Sequence, residues 1–110
     1  MEAETNKMVI TKFNQNQVIT NQEGKEDLHV YLPPPNHGYQ YSIIQLSDHL
    51  IFLHTNASDV SFLCKDNPKT LIVSSEDAAF GRTLTICSFQ GKHWRIASTT
   101  FLESHLLFED

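Results

Sequence analysis

Glycine is scarce in this 110-residue chain, and no two of its four glycines (Gly24, Gly38, Gly81 and Gly91) lie close enough to form a phosphate-cradling loop. Basic residues are few as well. Eight Lys and Arg against thirteen Asp and Glu give a net charge of −5, which leaves no basic stripe to neutralise a nucleic-acid backbone. Nucleic acid is therefore not an expected partner. The longest apolar runs, such as Leu50 to Leu53, fall far short of the roughly 20 residues that a membrane-spanning helix needs. The start, MEAETNKMVITKF, has acids where a signal peptide carries a basic segment followed by an apolar one. The expectation is a protein made and folded in a cytoplasm, with no membrane partner. There are only two cysteines, Cys64 and Cys87, and each sits in a strand-like stretch. Both read as buried, reduced thiols rather than as a disulfide.

Motifs for chemistry are missing too. Nucleophilic catalysis would need a Ser or Cys beside a base, or a Gly-x-Ser-x-Gly elbow, and the chain spells out neither. The acids Asp48, Asp59, Asp66, Glu76 and Asp77 all lie in turn-like surroundings, where a solvated charge is the default. Six histidines raise the question of a metal. Neither the five-residue gap from His49 to His54 nor the eight-residue gap from His29 to His37 is a strand i, i+2 or helix i, i+4 spacing that would bring two imidazoles onto one ion. No catalytic residues, cofactor or metal are expected, although histidines distant in sequence are left open.

What the chain does have is β-forming sequence. At this length it makes one domain, which on folding removes from water roughly two-thirds of the surface the unfolded chain exposes. Leu28, Val30 and Leu32 alternate with His29 and Tyr31, the period-2 pattern of a half-buried strand. Further strands are expected at Tyr39–Leu46, His49–His54, Val60–Cys64, Thr70–Ser74, Thr83–Phe89 and His93–Ala97, while Met8–Phe13 is the first stretch with β preference and Val18–Thr20 a candidate short strand. They are separated by Asn, Asp, Ser, Gly and Pro. Spacing of about 8–12 residues points to an all-β sandwich or barrel-like module of about seven to eight short strands. Only 74–81 competes, as a single helical turn, and the C-terminal segment 98–110 reads as a short helix or a last strand. Residues 1–7 read as a flexible arm and 28–97 as the β core.

Three consecutive prolines, Pro33 to Pro35, interrupt two of these strands. A proline-rich ligand for a signalling module would sit in polar, disordered surroundings, whereas this run is flanked by Leu28, Val30 and Leu32 and by Tyr39, Tyr41 and Ile43. Proline cannot donate to a sheet ladder, so the run ends one strand, and Asn36-His37-Gly38 redirects the chain into the next. The aromatics Tyr39, Tyr41 and Trp94 are rings that a glycan platform would use, set against their commoner role in a core.

Leu32-Pro33, a short loop, and then Gly38-Tyr39-Gln40-Tyr41-Ser42-Ile43 form the first half of a longer pattern. Its second half is Thr83 to Phe89, the turn Gln90-Gly91-Lys92-His93, and Trp94-Arg95-Ile96. Across residues 28 to 97 the chain resembles the small β-rich modules of tailed-bacteriophage virion proteins. That resemblance implies a non-enzymatic structural protein of the virion, made in the host bacterial cytoplasm. Foremost is a capsid decoration protein that stabilises the assembled shell. The alternative is a tail or fibre module that recognises a host glycan through Tyr39, Tyr41 and Trp94. It further implies contacts with a major capsid or tail protein and a homo-oligomer, with a trimer favoured. The apolar residues near the two ends, Val9, Ile10 and Phe13 and then Phe101, Leu106, Leu107 and Phe108, are the candidates for partner contact, or else they close the chain's own core.

Overall fold

A computed structural model describes residues 7–9, 18–21, 26–33, 39–55, 59–64, 66–89 and 92–109. Among them, ten strands form two five-stranded sheets: β1 Lys7–Val9, β2 Val18–Thr20, β3 Leu28–Tyr31, β4 Gln40–Ile44, β5 Ile51–His54, β6 Ser61–Phe62, β7 Thr70–Val73, β8 Thr83–Phe89, β9 His93–Thr99 and β10 Leu106–Glu109. Sheet A has the order β1-β3-β5-β7-β10 and sheet B the order β2-β4-β8-β9-β6. The protein is an all-β sandwich, and its only helical pieces among the described residues are single 3-10 turns at Asp77–Ala79 and Glu103–His105. Of the two forms expected for the C-terminal segment, the last strand is present as β10, and in place of a short helix there is only the 3-10 turn before it. Strands β1, β2 and β10 lie outside residues 28–97 and are members of the same sheets. Of the proposed N-terminal arm, Lys7 begins β1; residues 1–6 are outside the described set.

From β1 to β7 the chain changes sheet with every strand. Two successive strands of one sheet are therefore separated by a passage through the other; through β5 they run the same way, whereas β7 runs antiparallel to β5. β1, β3 and β5 are parallel in sheet A, and β2 and β4 are parallel in sheet B. Parallel strands need such crossovers. They are usually helices that cover the sheet, but here the crossing elements are strands of the opposing layer. The outer side of β3 and β5 is thus left facing solvent. The link from β3 to β4 is one of these crossings. Leu32 and Pro33, both buried, follow β3 directly, while Pro34 to Gly38 lie outside the described residues.

Alternation in the sequence becomes two faces in space. In β3 and β5, Leu28, Val30, Ile51 and Leu53 are buried, and His29, Tyr31, Phe52 and His54 are half-buried on the other side. The core unites Val30, Leu53 and Leu71 from sheet A with Ile43, Ile86 and Trp94 from sheet B. Each such aliphatic side chain contributes about 1.5–3 kcal/mol by leaving water. Both cysteines are free. Neither is buried as expected: Cys87 is half-buried, and Cys64 is exposed because β6 ends at Phe62 and the following residues turn, with Asn67 N–H donating to the Cys64 carbonyl.

Candidate functional site

The solvent-facing side of sheet A carries the densest group of functional side chains. In-register pairing of β3 with β5 sets His29 beside Phe52 and Tyr31 beside His54. Neighbouring strands lie about 4.8 Å apart, and the ring centroids follow that spacing, at 4.5 Å for His29 with Phe52 and 4.7 Å for Tyr31 with His54. The rings are nearly parallel, with interplanar angles of 10° and 17°. Each imidazole therefore has a ring lying against it, which restricts its rotation to its own plane.

The two imidazoles also meet each other. His29 Nδ1 and His54 Nε2 are 3.0 Å apart, the centroids 5.2 Å and the planes 9° apart. That centroid separation is about the hydrogen-bond length plus the two ring radii, so the rings meet end to end and one proton lies between them. The second nitrogen of His54, Nδ1, is 3.4 Å from Thr70 Oγ1. Burial first, and the neighbouring His29 second, hold the His54 imidazole below its ordinary range.

Strand register extends this face into two rows. One runs His29, Phe52, Ile72, Leu107 and the other Tyr31, His54, Thr70, Glu109; β1 sets Lys7 opposite His29 and Val9 opposite Tyr31. The first row is largely apolar, and Leu107 at its end is 55% exposed.

The remaining described histidines stand apart. His49 faces Asp27 through Nδ1 at 3.8 Å and Asp48 through Nε2 at 3.6 Å, so the two acids approach different nitrogens. His93 Nδ1 lies 3.2 Å from Ser61 Oγ across the β6–β9 pairing, with no acid among the described residues to orient the ring. His105 is buried, and its Nδ1 accepts from the Leu102 N–H at 3.2 Å, closing the last 3-10 turn. His37 lies outside the described residues. Among the described residues no three His, Cys, Asp or Glu side chains converge as a metal site.

Tyr39, Tyr41 and Trp94 do not form a glycan platform. All three are buried, Tyr41 and Trp94 completely, because Tyr41 in β4 and Trp94 in β9 fall on the face turned toward sheet A, with Tyr39 just before β4. Tyr41 and Trp94 pack together with centroids 5.7 Å apart. Neither the Tyr41 hydroxyl nor the Trp94 Nε1 has a hydrogen-bond partner among the described residues, and burial raises the Tyr41 hydroxyl above its usual range, with Tyr39 adding to it.

Of the candidate partner-contact residues, Phe101 belongs to the core, and Leu106 and Phe108 pack against it. Among the C-terminal candidates, Leu107 projects outward. Ile10 and Phe13 lie outside the described residues, and Val9 is placed by register alone. Sequence spacing missed the His29–His54 pair because the two are 25 residues apart. The signal that was available is the match between LHVY and IFLH, which carry ring-bearing residues at the same alternate positions. No family model, curated protein or solved structure matches the chain.

Proposed function

We propose that this protein is a non-enzymatic structural subunit of a bacteriophage virion, which acts by docking its solvent-facing sheet A onto another virion protein. Decoration of the capsid shell, with the major capsid protein as partner, is the form this role takes. The observation that carries it is the apolar row His29, Phe52, Ile72, Leu107 across four adjacent strands, since aromatic and aliphatic side chains on a rigid face are what a protein partner buries. The mechanism is mass action. A subunit that binds only the assembled surface shifts the equilibrium toward assembly and raises the resistance of the shell to heat. A trimer is the assembly suggested by the resemblance to virion modules.

A tail or fibre module is the second reading, and the parallel coil favours it. Successive strands of β1–β5 repeat one two-layer step, a geometry that elongated proteins extend by adding further steps. Glycan recognition in that setting would need residues other than Tyr39, Tyr41 and Trp94.

The test is addition of purified protein to shells that lack it. Saturable binding with a raised melting temperature of the shell supports decoration. Copurification with tails in low copy number supports the second reading, and absence from both particles refutes the virion assignment.

A further inference from the structure

We propose that His29 and His54 form a binding site for a tetragonal divalent transition-metal ion, of the copper(II) or nickel(II) type, on the solvent-facing side of sheet A. The first support is distance. An ion held at about 2.0–2.1 Å by two cis imidazoles sets their nitrogens about 2.9 Å apart, whereas a tetrahedral ion needs about 3.3 Å. The separation of His29 Nδ1 and His54 Nε2 is 3.0 Å, a hydrogen-bond length in the metal-free pair that the cis arrangement also accepts once each ring turns its lone pair from its neighbour toward a shared ion.

The second support is the surroundings. A ligating histidine is commonly held by a partner on its other ring nitrogen, and Thr70 Oγ1 is placed to accept from His54 Nδ1–H, so that the Nε2 lone pair, which accepts from His29 in the metal-free pair, is the one an ion would take. Phe52 and Tyr31 lie parallel to the two imidazoles. Each ring can therefore swing within its plane to aim its lone pair at a shared ion while keeping its aromatic contact. Both imidazoles are only half-buried, so an ion has direct access.

The proton balance is simple. In the metal-free pair one proton bridges the two nitrogens. When the ion takes its place, a neutral His29 carries its proton on Nε2 instead, exchanged through water, and a pair that was singly protonated releases one proton to solvent. Two imidazoles leave the other positions of the ion to water, so the ion is exchangeable and its affinity falls as the pair protonates.

The experiment uses tag-free, chelator-treated full-length protein, titrated with CuCl2 and separately with NiCl2 in equilibrium dialysis. The expected result is one ion per chain, with affinity reduced about tenfold or more in His29→Gln and in His54→Gln, and unchanged in His49→Gln. The copper complex should give a tetragonal paramagnetic resonance spectrum with coupling to two nitrogens. Circular dichroism of each variant establishes that it is folded. A folded His29→Gln/His54→Gln double variant that binds copper as wild type does would overturn the proposal. So would failure of the wild type to retain either ion.

Discussion

The side-chain amide of Asn21 donates to Gln45 Oε1 at 2.7 Å, and the two buried groups tie the sheets together at one end of the sandwich. Asn21 follows β2 of sheet B, and its Oδ1 accepts from Leu46 N–H at 2.8 Å. Gln45 follows β4, and its Nε2 donates to the carbonyls of His49 and Ser74, the latter just beyond β7 of sheet A. Its Oε1 also accepts from Ser47 N–H. Every polar atom of the Gln45 side chain is thus satisfied without water, as a buried amide requires.

Replacing Gln45 with Leu, similar in size, strands several of these groups at once. Leaving a buried donor or acceptor unpaired costs about 1–3 kcal/mol, and the expected loss for Gln45→Leu is about 2–4 kcal/mol. Urea denaturation should show a lower midpoint with an unchanged slope. A loss below about 1 kcal/mol would mean that the amide network contributes little.

Stability should fall on mild acidification. The native pKa of His54 is depressed by burial and by His29, while the unfolded value is near 6.5. Above the unfolded pKa both states are neutral at this residue, and its contribution to stability is complete. As pH drops through about 6.5 toward the native value, the unfolded chain takes up a proton that the native state resists, so stability declines. The urea midpoint should therefore decrease between about pH 7.5 and 5.5, before most carboxylates titrate. His54→Gln should flatten that part of the curve. A midpoint that rises on acidification over the same interval would contradict this linkage.

Tyr41→Phe should be neutral or stabilising, by up to about 1 kcal/mol, against the usual loss when a buried, bonded hydroxyl is removed. The hydroxyl is buried and has no partner among the described residues, so its deletion relieves an unmet desolvation cost. In the wild type, one tyrosine should ionise later than the others in an alkaline ultraviolet titration, since burial raises Tyr41, and Tyr41→Phe should remove that late step. A loss of more than about 1 kcal/mol would reveal a bond to the hydroxyl.

Much of the fold was legible because alternation and turn chemistry are local. Thr83–Phe89 is a strand over the expected residues, and Val18–Thr20 and Thr70–Val73 lie within one residue of expectation. Burial in β3 and β5 alternates as the sequence does. Relationships that depend on register were not legible. His29 meets His54 only because β3 and β5 are parallel and in register, which requires β4 to cross to the other sheet. Trp94 sits between charged neighbours, a context that leaves its direction open. Pairing with Phe62 and Ser88 decides that it points inward. The candidate site was hidden for the same reason: none of its contacts is local.

Leu107 separates docking from stability. It lies at the exposed end of the outward row, beside Ile72, whereas Leu71, one residue away on β7, is wholly buried. Leu107→Lys should change unfolding free energy by no more than about 0.5 kcal/mol, as a surface substitution does, and a lysine on β10, an edge strand of sheet A among the described residues, also discourages unwanted strand pairing. Leu71→Ala should cost about 2–5 kcal/mol through lost burial and the cavity it leaves. If sheet A docks through its apolar row, Leu107→Lys should abolish binding to the particle while its melting temperature stays that of wild type. Leu71→Ala should still bind at temperatures where it remains folded. Unimpaired binding by a folded Leu107→Lys variant would move the docking surface away from this end of the sheet.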